Sequence, residues 1–285
     1  MEKKMRKGRL LAAMALSAVA MFAFSAAPAL AGISATKHNL GSTGGAGQNK
    51  VSDTAEICVF CHTPHGADTA AVVPLWNKKL GDGTGYTTYA SLGTTTLDGK
   101  TATNVGSVSL ACLSCHDGTQ AMDNIINAPG SGGYDATGGG ATGLAYNWGT
   151  SPRVDADGKL NSGVALIGTD LSNDHPVGIQ YAGGGYYYNA GFQTGTIGDP
   201  DFKTPSTLLI GSTPVWWVDT SGAGTREKVD MILYTRTAAD GYTGQTNPEP
   251  FVECASCHNP HTSATNTFLR VSNDGSAVCL ACHVK

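Results

Sequence analysis

Hydrophobic residues are unevenly distributed along this sequence, with one long run near the N-terminus and short runs elsewhere. Residues 10–24 read LLAAMALSAVAMFAF after a basic start, and Ala29-Leu30-Ala31 follows as a small-x-small pattern. This order is typical of a secretory signal, so we expect residues 1–31 to be a cleaved signal peptide. An uncleaved membrane anchor is the alternative, but the apolar run is short for a spanning helix.

The rest of the chain, residues 32–285, is expected to form one domain with little regular structure. Its 38 glycines and many Ser, Thr, Asn and Asp residues favour turns over long helices. The runs VWWV (215–218) and VDMILY (229–234) flank a turn-rich stretch and predict a β-hairpin. Aromatic runs at Trp216-Trp217 and Tyr186–Tyr188 are interpreted as hairpin packing or a subunit interface. An electron path or a carbohydrate site is the alternative.

Charge excludes some classes of partner. Charged residues make up 14% of the chain, against about 25% in a typical soluble protein. The formal net charge is -4, and loss of the signal removes five basic residues but only one acidic residue. There is no basic patch, so nucleic acid is not expected as a partner. No second apolar run is long enough to cross a bilayer, so no stable membrane span is expected after cleavage.

The cysteines carry the main chemical signal. All eight occur in pairs separated by two residues, and a histidine follows every pair. The cysteines are Cys58, Cys61, Cys112, Cys115, Cys254, Cys257, Cys279 and Cys282, and the histidines are His62, His116, His258 and His283. C-x-x-C-H is the attachment signature of c-type haem, in which two thiols bond to the porphyrin and the histidine binds the iron. The sequence therefore predicts four covalently attached haems.

Paired cysteines have three other uses that are alternatives to haem attachment. Four disulfides would suit an exported chain, but they do not explain a histidine after every pair. Structural zinc would not need four identical copies. A thioredoxin-like redox motif is expected once, near a βαβ pattern. Four motifs that use every cysteine of an exported chain favour haem over all three.

Each haem iron has a second axial position, and four histidines remain for four irons. These are His38, His65, His175 and His261. The match of four to four favours bis-histidine ligation throughout. Met122 and Met231 are alternative axial ligands, and we interpret both as packing residues.

Two of these histidines stand three residues after a motif histidine: His65 after His62, and His261 after His258. Residues three apart on a helical turn point the same way, whereas a second ligand must approach from the opposite face of the ring. We therefore expect His65 and His261 each to bind a haem other than that of its own motif. Each short C-H-x-P-H unit would then hold two irons close together.

Several segments resemble a known group of proteins. CVFCHTPHG (58–66), SNDHPVG (172–178) and CASCHNPH (254–261), with TFLR (267–270) after it, resemble exported multihaem cytochromes of metal-reducing bacteria. Within this group the chain is similar to the tetrahaem, nanowire-forming type of outer-membrane cytochrome E. The resemblance covers most of the mature chain through its motifs.

The resemblance implies a mostly loop-rich fold wrapped around a continuous stack of bis-histidine haems, with short helices at the motifs and a few short strands. It also implies that one axial histidine crosses to a haem of the adjacent subunit. His38 is the candidate for this role, because it lies near the mature N-terminus.

We therefore expect an electron-transfer protein rather than an enzyme. It would polymerise with copies of itself into an extracellular filament, and its other partners would be redox cytochromes and external electron acceptors. A monomeric shuttle in the periplasm or at the cell surface is the first alternative. A multihaem reductase is the second, and it would need an iron with a free axial position.

Overall fold

The computed structural model describes residues 32–130, 133–138, 144–174, 176–237, 247–262 and 264–284. The predicted signal peptide and His175 lie outside the described residues. No helix in these ranges is both long enough and apolar enough to cross a membrane.

The α-helices of the described chain are short, and each carries part of a C-x-x-C-H motif. They are α1 (Ser107–His116), α2 (Cys254–Cys257) and α3 (Ala277–Leu280), and the first motif begins with a 3-10 turn at Cys58–Phe60. Further 3-10 turns occur at Ile33–Ala35, Tyr89–Leu92, Tyr181–Gly183, Asn266–Phe268 and Asp274–Ser276. The α-helices thus lie where the motifs predicted them, while the 3-10 turns also occur elsewhere.

Helix α1 is buried on more than one side. Leu110 and Leu113 lie in an apolar core together with the fully buried Ser109, and Ala111 and Ser114 are buried on another face. The helix ends at His116, and Gly118 follows in the left-handed region with φ 72°. A Cβ at this glycine would lie 2.7 Å from the carbonyl oxygen of Leu160, so both the turn and the close approach favour glycine.

Most strands belong to one antiparallel sheet. The strands are β1 (Ile179–Gln180), β2 (Tyr186–Asn189), β3 (Phe192–Gly195), β4 (Ser206–Ile210), β5 (Thr213–Val218), β6 (Met231–Arg236) and β7 (Glu249–Val252). The sheet has the order β1-β7-β6-β5-β4, and β2 and β3 form a separate hairpin. Strands β5 and β6 pair with Trp216 opposite Leu233, which confirms the predicted hairpin.

The aromatic runs pack in this region, as the sequence predicted. Trp216 is fully buried, and the rings of Tyr186 and Tyr188 contact it edge-on with centroids 5.7 and 6.3 Å away. Met231 is buried in the same cluster, and Met122 is buried in another. Both methionines therefore act as packing residues in this structure.

The buried apolar residues form three clusters, and we name each by its place in the chain. The sheet cluster contains Tyr181, Ala182, Trp216, Val218, Met231, Leu233 and Ala281. The N-terminal cluster contains Leu40, Val51, Phe60, Met122 and Trp148. The helix cluster contains Val105, Leu110, Leu113, Leu171 and Val177. Cysteines of the C-x-x-C-H motifs pack against all three clusters, so the motifs lie beside the core.

Candidate functional site

The candidate site consists of the four C-x-x-C-H motifs, numbered 1 to 4 in chain order at residues 58–62, 112–116, 254–258 and 279–283. All eight cysteines are free, so the structure contains no disulfide that would compete with haem attachment. In the described ranges, no three His, Cys, Asp or Glu side chains are grouped as metal ligands would be. The zinc interpretation lacks the ligand cluster that it requires.

Successive motifs contact one another, beginning with motifs 1, 2 and 3. Cys61 of motif 1 and Cys115 of motif 2 pack against the same N-terminal cluster. At the opposite end of motif 2, the Cys112 thiol donates to the carbonyl oxygen of Val108 at 3.6 Å, and the Cys112 side chain also interacts with that of Cys254 of motif 3. The contact between the two cysteines raises the pKa of Cys112 and lowers that of Cys254. Motif 2 therefore adjoins both motif 1 and motif 3.

Motifs 3 and 4 meet beside the β-sheet, where Cys257 and Cys282 both pack against the sheet cluster. Each motif therefore adjoins the next one in the sequence, and the segment after motif 3 also reaches motif 1 through His261. Burial raises the pKa of Cys61 to about 12 and that of Cys282 to about 12. These apolar surroundings suit an uncharged thioether, the bond that attaches c-type haem.

Hydrogen bonds orient three of the motif histidines in the same way. The Nδ1 atom of His62 lies 2.9 Å from the carbonyl oxygen of Pro74, and His116 Nδ1 lies 2.7 Å from that of Ala165. His258 Nδ1 is 2.8 Å from the carbonyl oxygen of another residue, in the loop after its motif. A carbonyl can only accept, so Nδ1 must donate and Nε2 keeps its lone pair. This is the usual arrangement of histidines that bind a metal through Nε2.

Two of the predicted second ligands lie opposite motif histidines. The ring centres of His62 and His261 are 6.0 Å apart, and their planes differ by 19°. Desolvation and the nearby His62 imidazole lower the pKa of His261, which favours the neutral form that binds a metal. His261 thus lies beside motif 1 although it follows motif 3 in the sequence. Its ligation of an iron there stays a prediction.

His38 forms the second pair. Its ring centre lies 6.0 Å from that of His116, with 73° between the planes. The His38 ring also stacks on the ring of Phe268, with centres 4.4 Å apart. Its Nδ1 atom is 3.5 Å from the carbonyl oxygen of Pro260. Burial, followed by repulsion from His116, lowers the pKa of His38 to about 4. The imidazole is therefore neutral over the physiological range of pH.

This position of His38 differs from the expectation that it crosses to another subunit. The segment around it is held against its own chain rather than extended as an arm. Asn39 is buried and donates hydrogen bonds to the Ser34 carbonyl at 2.9 Å and the Thr43 hydroxyl at 3.1 Å. Leu40 belongs to the N-terminal cluster. Asn39 and Leu40 are thus buried directly after His38 and before the glycine-rich stretch begins, which places His38 against its own chain.

The other predicted ligands have different surroundings. His283 contacts the ring of Phe202 with centroids 4.1 Å apart. His65 is exposed, and in the described ranges it forms hydrogen bonds through its own backbone atoms and not through its ring. His175, the fourth predicted second ligand, lies outside the described residues. Within the described ranges, the structure thus brings His261 beside His62 and His38 beside His116.

The paired histidines fit a haem iron. Two imidazoles on opposite sides of one metal ion, each bound at about 2 Å, have ring centres roughly 6 Å apart. Both observed separations agree with this value. The thiols beside the apolar core and the donating Nδ1 atoms fit the same group. The chain therefore presents donors of the right chemistry for covalent attachment and for two axial bonds.

Sequence reasoning missed two residues that fix the motifs in place. Asn77 is fully buried; its side chain donates to the carbonyl oxygens of Val59 and Asn127, which ties motif 1 to the segment after motif 2. Glu253 caps helix α2 in a reciprocal capping box with Ser256. The spacing E-x-x-S beside motif 3 could have indicated the cap, whereas nothing local indicates the role of Asn77.

Comparison with known proteins supports the chemistry of the motifs. Residues 249–285, which contain motifs 3 and 4, match the family described as "Doubled CXXCH motif". Among curated proteins, none matches the chain. The family match covers a small part of the sequence and identifies paired haem-attachment motifs of the kind found in multihaem c-type cytochromes. It supports covalently bound c-type haem and a role in electron transfer.

Proposed function

We propose that this protein carries four covalently attached c-type haems and transfers electrons along them as a subunit of an extracellular filament. The observation that carries the proposal is the spatial succession of motifs 1 to 4, together with two histidine pairs at 6.0 Å. Haems attached in such a succession would lie close enough for electrons to pass between neighbours. Export and assembly are supported by the predicted signal peptide and by the resemblance to filament cytochromes.

The chain's own residues would hold and adjust each haem. Haem iron, when bound, supplies the one-electron redox chemistry. The cysteines fix the porphyrin edge, and the carbonyls of Pro74 and Ala165 orient the imidazoles of His62 and His116. Two imidazoles on an iron favour a lower potential than a histidine and a methionine do, and they leave no position for a substrate. This arrangement supports electron transfer rather than catalysis.

The number of haems is tested directly on purified holoprotein. Mass spectrometry is expected to give the mass of the chain from residue 32 onwards plus four haems. A chain with fewer haems would contradict the proposal, and a retained N-terminus would contradict the predicted cleavage. Each Cys-to-Ser pair variant, such as C112S/C115S, is expected to lose one haem.

Exposed groups beside motif 1 and at motif 4 support assembly into a filament. His65 lies beside motif 1, and its carbonyl oxygen accepts hydrogen bonds from Thr63 at 2.9 Å and Asn127 at 3.0 Å, while its ring is exposed. At the other end, Leu280 and Val284 of motif 4 and its flank are exposed. We propose that His65 of one subunit binds the haem of motif 4 in the next. A contact between two different ends repeats without closing and produces a filament.

His65→Ala is expected to abolish filaments. Electron microscopy should then show only dispersed particles, because the axial bond between subunits is lost. Electron paramagnetic resonance should show one high-spin haem for each chain, that of motif 4, whose second ligand is missing. In wild-type filaments all haems should be low spin.

His38→Ala is the matched control for this experiment, since it removes a ligand that lies within its own chain. It should produce a high-spin haem but leave filaments intact. Filaments of the His65 variant would contradict the crossing role. Wild-type protein that stays dispersed under native conditions would instead favour the monomeric shuttle, and a high-spin haem within intact wild-type filaments would favour the reductase.

A further inference from the structure

A buried ion pair lies between motifs 2 and 3. Arg236 of β6 and Glu253, the cap of α2, are 2% and 1% exposed. Arg236 Nε donates to Glu253 Oε1 at 2.7 Å, and its Nη2 atom contacts the same oxygen. Its Nη1 atom donates to the carbonyl oxygen of Asn104 at 2.8 Å. The guanidinium is thus shared between the cap of motif 3 and the segment that precedes motif 2.

The other carboxylate oxygen is bound by helix α1, which carries motif 2. The Ser109 hydroxyl donates to Glu253 Oε2 at 2.5 Å. The same hydroxyl accepts the backbone N–H of Cys254 at 3.2 Å. Ser109 stands one helical turn before Cys112, whose thiol contacts Cys254. The ion pair is therefore one side chain removed from two cysteines to which different haems would be attached.

The ion pair packs closely against the backbone at Gly106, so a side chain at this position would have no space. A Cβ at Gly106, just before α1, would lie 2.5 Å from Arg236 Nη2 and 2.8 Å from Glu253 Oε1. On the sheet side, the guanidinium lies over the ring of Phe251, 5.7 Å from its centre. The two charges are fixed in place and shielded from water, so each acts strongly on neighbouring groups.

We propose that the Arg236–Glu253 pair joins the attachment helices of the second and third haems and sets the potentials of these two haems through opposing charges. The inference rests on the proposed attachment of haem to motifs 2 and 3. Arg236 and Glu253 are positioning residues, since they act on the motifs through the Ser109 hydroxyl and the cap of α2.

The two charges act on haem in opposite directions. Reduction adds one negative charge to the haem, so a nearby positive charge favours the reduced form and a negative charge disfavours it. In the wild type the two effects largely balance. If Glu253 is neutralised, the guanidinium stays charged, because arginine does not deprotonate in proteins. If Arg236 is neutralised, the carboxylate is left without its cation.

The test is a redox titration of holoprotein followed by optical absorbance. Glu253→Gln should raise the potentials of two of the haems, and Arg236→Met should lower the potentials of two haems. The double variant R236M/E253Q should return both towards wild-type values. Arg236→Lys keeps the charge and should leave the potentials close to wild type. Haem number, measured on the same samples, tests the proposed function separately.

If the haem potentials shifted in the same direction in both single variants, the proposal would be overturned. Such a result would mean that each substitution only loosens the structure and exposes the haems to water. Unchanged potentials in both would overturn it as well. If one single variant fails to incorporate haem, the sign of the shift in the other single variant still tests the charge effect, and the double variant tests the joining role. Circular dichroism of the Soret band, which reports interaction between neighbouring haems, should change in R236M/E253Q but not in R236K. An unchanged Soret spectrum in the double variant would contradict the joining role.

Discussion

Replacing His261 by alanine is expected to convert one additional haem, the one attached to motif 1, from low spin to high spin. The imidazole of His261 lies 6.0 Å from that of His62 and would supply the second axial ligand to its iron. No other histidine ring contacts His62 in the described part of the chain, so no replacement ligand is at hand. Electron paramagnetic resonance of dispersed holoprotein should show one more high-spin haem in the variant than in the wild type.

His65→Ala provides a control at the equivalent position of the other C-H-x-P-H unit. His65 is exposed in the isolated chain, so its removal should not change the spin state of dispersed protein. The two variants remove the same atoms from the same motif position, and only their surroundings differ. An unchanged spectrum for H261A, or an additional high-spin haem for dispersed H65A, would contradict the assignment.

The local features of this protein could be predicted from its sequence. The C-x-x-C-H spacing specifies thiols and imidazole within one helical turn, and α1, α2 and α3 each contain part of such a motif. The β5–β6 hairpin followed from two apolar runs separated by turn residues. These predictions concern residues that are close in the chain, where spacing alone restricts geometry.

The pairing of distant histidines could not be predicted in the same way. His65 and His261 occupy equivalent motif positions and both are exposed, yet in the described part of the chain it is His261 that lies opposite a motif histidine, His62. Their different surroundings depend on how the segment after motif 3 packs against motif 1, and the two motifs, at residues 58–62 and 254–258, are far apart in the sequence. His38 was the candidate for crossing between subunits because it lies near the mature N-terminus, whereas the structure places it beside His116 of its own chain, with Asn39 and Leu40 buried next to it.

The buried ion pair was missed for a related reason. Arg236 lies in a strand whose pattern predicts only packing, and Glu253 precedes motif 3 as an ordinary polar residue would. Only the pairing of β6 with β7 brings them together. A charge in a short strand is usually solvated, so the sequence offered no reason to expect one that is 2% exposed.

Trp216→Ala is expected to lower the free energy of unfolding by about 3–5 kcal/mol, the usual cost of deleting a buried tryptophan. The side chain is fully buried in the sheet cluster, and its Nε1 donates to the Thr235 hydroxyl at 3.0 Å. Cys257 and Cys282 pack against this cluster, so the cavity would open beside motifs 3 and 4. Denaturant unfolding followed by far-ultraviolet circular dichroism measures the change.

Phe192→Ala is the matched control, because this aromatic residue of the β2–β3 hairpin is 74% exposed. Its removal should change stability by no more than about 0.5 kcal/mol. Equal stability of W216A and the wild type would mean that the sheet cluster contributes little and that haem attachment alone holds the chain together. A large loss only in W216A would instead mean that the sheet supports the haems of motifs 3 and 4. In that case the Soret circular dichroism should change as the sheet unfolds, because the spacing between these haems would depend on the packing around Trp216.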